Sequence, residues 1–167
     1  MTMKRMFTML VMTFSLMVCQ AQVTNQSIEQ KIDSLQTQLD KLQRDYDYLN
    51  CEYKLNRIIH ELSIFKNQLY GETNRLIIEC YHITYDRSRH KMCKELYEAR
   101  VDQYLATRDN AYAIIDFVTS EIETGKFNNL QIRMLDNSIN VIEPILKNIK
   151  AHLDGYNQIL NLHGDTL

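Results

Sequence analysis

Four side chains of types that bind zinc lie within fourteen residues: Cys80, His82, His90 and Cys93, in the order C-x-H-x7-H-x2-C. The spacing follows no established zinc pattern. On a helix Cys80 and His82 would point roughly 200° apart, so they share an ion only if the backbone unwinds. Two of the four admit a simpler chemistry. If the chain reverses near Arg87, an antiparallel pairing centred between Asp86 and Arg87 sets Cys80 opposite Cys93, and export would supply oxidising conditions. A Cys80–Cys93 disulfide is the expectation, tied to the reversal: on an unbroken helix roughly 20 Å would part the two thiols. A small ligand- or metal-binding module built on the Cys80 to Cys93 region is the alternative function.

The remaining reactive side chains point to structure. Cys51 sits beside Glu52, whose charge raises a thiol pKa, so it is a poor nucleophile. His60-Glu61 lacks the second His four residues after the first that a zinc-protease helix needs. Tyr46, Tyr53, Tyr97, Tyr104 and Tyr156 fall at helical seam positions, where an amphipathic ring fills space and sends its hydroxyl to the rim. The run from Asp86 to Lys91 carries four potential positive charges, ordinary for an exposed corner. No Gly-rich phosphate loop, nucleophile elbow or paired carboxylates occur in a recognisable context, so no catalytic, cofactor-binding or metal-ligating residue is assigned and no enzyme is expected.

The elements that would position these groups begin after an address. Lys4 and Arg5 precede an apolar run from Met6 to Val18, and Cys19-Gln20-Ala21 places small residues where a signal peptidase reads. Residues 1–21 read as a cleaved secretory signal, giving a secreted or periplasmic protein. The alternatives are a retained membrane anchor and a lipid anchor on Cys19, although Val18 stands where lipoprotein signals carry a small residue. Contact with a membrane is expected only if Cys19 is lipidated. Without Lys4 and Arg5, nineteen basic residues become seventeen against twenty-one acidic ones, and the formal charge moves from −2 to −4. Such a chain lacks the cationic surplus that phosphate contacts require, which argues against nucleic acid as a partner. Four Gly and one Pro among 167 residues suit a nearly all-helical fold.

The strongest pattern lies at 28–53. Ile28, Ile32, Leu35, Leu39, Leu42, Tyr46, Leu49 and Tyr53 alternate at steps of four and three, a two-in-seven stripe that buries one narrow line against a partner helix. Ser27 and Gln30 match a capping box at its start. From Leu55 the stripe broadens to Ile58, Ile59, Leu62, Ile64, Phe65 and Leu69, as in a helix embedded in a bundle. Asn56 and His60 occupy the old frame, so the frame shifts there rather than burying them. Gly71 is the first punctuation, and the polar stretch after Tyr85 reads as a turn. Gly125 supplies a left-handed stop, and Asn128 with Gln131 begins a last helix that carries Pro144 off its seam. The fold expected is all-α: a coiled-coil arm over 22–50, an antiparallel bundle of three or four helices over 51–162 and a fraying tail over 163–167. The arm would self-associate or dock a partner helix through Ile28, Ile32, Leu35, Leu39, Leu42 and Leu49. In a closed variant the last helix packs along the arm and no seam is left open.

Overall fold

The computed structural model describes residues 25–80 and 85–164, the side chains of 25–27 and 29 excepted. The expected signal segment, Cys19, the capping side chain of Ser27 and His82 lie outside the described residues. The described chain is all-helical: α1 spans Asn25–Cys80, α2 Arg87–Glu123 and α3 Asn129–Gly164, with no strand among the described residues. By contacts the chain divides into two compact units, Met1–Gln43 and Arg44–Leu167.

In the first unit the described chain is helix alone. Local bonds support it: the Gln36 amide donates to Asp40 at 3.0 Å, and the Thr37 hydroxyl donates back to the Asp33 carbonyl at 2.8 Å. Of its five seam residues Ile28 is half-buried, and Ile32, Leu35, Leu39 and Leu42 are 48–66% exposed.

In the second unit the helices pack as a bundle. α1 and α2 run antiparallel, since Lys54 lies over the Phe117 ring near one end and Glu72 grips Arg100 further along. α2 and α3 are antiparallel too, with Tyr112 donating to Glu143 and Tyr97 stacked on Tyr156 at 5.9 Å. Tyr48 meets both Phe127 and Met134, and Tyr70 meets His152, so α1 and α3 run in the same direction. The core from α1 is Cys51, Leu55, Ile58, Leu62, Phe65 and Leu69, and α3 supplies Leu135, Ile142, Leu146, Ile149 and Leu153. Asn56 and His60 are exposed, as a frame shift requires.

Two of the connections follow from the residues that make them. Asp86 is extended and its carboxylate accepts from the Arg89 N–H at 2.9 Å, satisfying a first-turn amide of α2, so the helix starts without Gly or Pro. Gly125 takes φ 72°, and its N–H reaches the Ile122 carbonyl at 3.1 Å. Asn128 and Gln131 then form the expected capping box: each main-chain N–H donates to the other's side-chain oxygen, at 3.0 and 2.9 Å. Pro144 leaves the Asn140 carbonyl without its donor, yet α3 continues, held on either side by buried Ile142 and Leu146.

Gly71 does not punctuate. α1 passes through it to Cys80, because a helical Gly costs only about 0.5–1 kcal/mol whereas burying Leu69 and Leu76 on either side returns about 1.5–3 kcal/mol each. Leu62, at 0% exposure, and Leu39, at 59%, separate core from surface on the same helix. Leu62→Ala should lower unfolding stability by about 3 kcal/mol in chemical denaturation, whereas Leu39→Ala should leave the bundle transition of the dilute protein within about 0.5 kcal/mol of the parent.

Candidate functional site

Two places merit scrutiny: the seam of α1 and the end of the bundle where α1 gives way to α2. The seam is read best in heptad letters. With Leu49 at d, the seam residues are a and d, while Cys51, Leu55, Ile58, Leu62, Phe65, Leu69 and Leu76 all fall on f and c. Those positions lie on roughly the opposite side of a helix from a and d. In the second unit α1 therefore has two apolar faces: f and c are buried in the core, while Tyr46, Leu49 and Tyr53 remain 57–66% exposed on the other side. Cys51 at f is fully buried and opens the core stripe, and burial pushes its thiol pKa up. The sequence signal for this second stripe was present in the f position of Cys51, and the strength of the a/d pattern masks it.

At the other end of the bundle the expected constellation is brought together in part. Cys80, Tyr85, Cys93, Tyr156 and Leu160 share a small cluster with Leu76, separate from the main core. The Tyr85 hydroxyl lies 3.1 Å from His90 Nδ1 and also meets the Cys80 thiol, and the His163 ring meets the Tyr85 ring edge-on. The expected Cys80–Cys93 disulfide is not formed; both thiols are free. Cys80 packs against the cluster that holds Cys93, so the two come near each other without being joined. Each sulfur takes a tyrosine instead, Cys80 the Tyr85 hydroxyl and Cys93 that of Tyr156, which also donates to the Cys93 carbonyl at 3.4 Å. Burial raises both thiol pKa values, and burial with the adjacent Cys93 holds the Tyr156 phenol well above its usual range. These are resting groups, not activated nucleophiles. Among the described residues no group of three or more His, Cys, Asp or Glu is placed to hold a metal ion.

A groove of about 370 Å³ opens beside this cluster between α1 and α2, floored by Leu76, Cys93 and Tyr156 and rimmed by Glu72, Glu79 and Arg89. Its charges are matched within the chain. Arg100 holds Glu72 through two nitrogens at 2.6 and 3.0 Å, and Arg89 holds Glu79 at 2.9 and 3.1 Å with Arg75 adding a third bond at 2.8 Å. A rim so neutralised has no unmet charge to offer a ligand. These interhelical pairs depend on register and leave no local mark in the sequence.

Compared with known proteins, the chain matches no family model, no curated sequence and no solved structure. No described helix is long and apolar enough to cross a membrane.

The hydrogen bonds from Arg89 and then Arg75 hold the Glu79 carboxyl below its usual range. A depressed carboxylate pKa contributes stability that is present above the unfolded value and is lost as pH falls through the folded one. Glu79→Gln should therefore cost about 0.5–1 kcal/mol at neutral pH and narrow its deficit to near zero on the acid side of the glutamate range, read from melting temperature against pH. Iodoacetamide at pH 8, followed by peptide mapping, should leave Cys51 unlabelled until denaturant is added and should recover Cys80 and Cys93 as reduced thiols.

Proposed function

We propose that this is an exported structural or interaction protein of the cell envelope that works by coiled-coil association, without catalysis of its own. The observation that carries the reading is the exposed a/d stripe of α1: Ile32, Leu35, Leu39, Leu42, Tyr46, Leu49 and Tyr53 are all 48–66% exposed in the single chain. Isolated exposed leucines need no explanation; seven on one repeating frame do. Burying each would return about 1.5–3 kcal/mol, and nothing else in this stretch of α1 gains from a seven-residue repeat. Within the second unit the last helix leaves Tyr46, Leu49 and Tyr53 exposed, which favours an open seam over the closed variant.

Export is supported by the basic head and apolar run of residues 1–21. The e and g positions hold Glu29, Lys31, Gln36, Gln38, Gln43 and Asp45, a sparse charge code that leaves most of the association energy to the apolar layers. The bundle and the seam thus have different work: the bundle is a folded body with satisfied polar groups, and the seam is the face that would meet another helix.

Light scattering across a concentration series should give a mass above that of one chain. Leu39→Glu, which puts a carboxylate into the middle of the buried line of each helix, should weaken association on the order of 100-fold or more while leaving helicity and the bundle melt unchanged. A chain that stays monomeric at every concentration would remove the reading.

A further inference from the structure

The seam can be satisfied by several geometries, and its own residues discriminate among them. We propose that its occupant is a second copy of this chain, running antiparallel, with the dyad between residues 40 and 41. This rests on the association reading above and adds partner, direction and register.

In that register Ile28 meets Tyr53 of the partner subunit, Ile32 meets the partner's Leu49, Leu35 meets the partner's Tyr46 and Leu39 meets the partner's Leu42, and the dyad repeats each contact. All eight seam residues are used, each tyrosine opposite an aliphatic side chain. The single basic g residue of the seam, Lys31, is set beside the partner's Glu52, twice per dimer, and Gln38 beside the partner's Asp45. No like charges face each other. The surface is thus complementary to itself when reversed.

The competing geometries do less. A parallel, in-register pair stacks Tyr46 on its own copy and Tyr53 likewise, and sets Lys31 against a neutral Gln36. Such a pair would also bring Glu52 beside the partner's Arg57, but Arg57 is already held by Glu61 of its own helix at 2.9 Å. The antiparallel register one heptad shorter, with its dyad at residue 37, joins Lys31 to the partner's Asp45 but leaves Leu49 and Tyr53 outside the six layers it forms. In the second unit the f/c core and the a/d stripe occupy opposite sides of α1, so a helix laid on Tyr46, Leu49 and Tyr53 meets no core residue.

The charge pair gives a direct test in the full chain, with association constants from sedimentation or concentration-dependent light scattering. Lys31→Glu places two acids together at both ends of the dimer, and Glu52→Lys places two bases there. Each variant should self-associate about tenfold more weakly than the parent, two modest ion pairs having been replaced by two repulsions. Mixing the two variants should restore parental affinity, because in the mixed dimer every 31–52 contact joins opposite charges. Circular dichroism and melting of each variant check that the bundle is folded, and the mixing result is independent of small changes in monomer stability. Self-association that is abolished by Leu39→Glu but indifferent to both charge variants and to their mixing overturns the antiparallel pairing while leaving the association reading intact. A monomeric parent overturns both.

Discussion

A helix has a single circumference to divide among its neighbours, and the division made along α1 decides the rest of this molecule. Around Cys51 the apolar residues pass from the a/d side to the f/c side, and from there the bundle takes its core: Leu55, Ile58, Leu62, Phe65 and Leu69 meet Ala111 and Val118 of α2 and Leu135, Ile142 and Ile149 of α3 in one cluster. Were the stripe to stay on one side, α1 could serve a partner or the bundle but not both over the same turns. Because it switches, Leu49 and Cys51, two residues apart, have opposite fates: 57% exposed and fully buried. The hydrophobic effect has no direction, so this separation is made entirely by where the periodic positions fall.

The polar contacts are arranged around that apolar division. Interhelical ion pairs lie along the bundle, Asp47 and Glu121 sharing Lys126 at one end and Glu79 meeting Arg89 at the other, with Glu72 and Arg100 between. Exposed pairs of this kind contribute little individually. What they do is fix register: the same reversal could slide by a turn and still bury leucines, but it would strand Glu72 and Glu79. No buried side-chain nitrogen or oxygen among the described residues lacks a hydrogen-bond partner.

How much of this was legible in the sequence depends on whether the signal was local. Gly125 and the Asn128–Gln131 box are local, since a left-handed residue and a reciprocal cap need only their own neighbours, and both appear where expected. The all-helical fold was legible because periodicity sums over many turns. Asp86 was readable as a cap but is inconspicuous within a run of six polar residues. Gly71 misled because its modest helical penalty was outweighed by two distant burials. The Cys80–Cys93 bridge misled for a sharper reason: symmetry about a turn brings two residues near each other but does not set sulfur against sulfur, and each sulfur here takes a tyrosine. The groove between α1 and α2 was invisible, being a property of two helices rather than of either.

The separateness of the small cluster at the bundle end has a consequence for how the protein breathes. Leu76, Cys93, Tyr156 and Leu160 form an apolar group of their own, and Tyr97 touches both this group and the main core. Native molecules open in pieces as well as wholly, and the pieces follow the partition of buried contacts. The group of Leu76, Cys93, Tyr156 and Leu160 is one such piece, with Tyr97 as its latch to the core that holds Leu55 to Phe65. Amide exchange in the last turns of α1 and the first of α2 would then follow that local event rather than global unfolding.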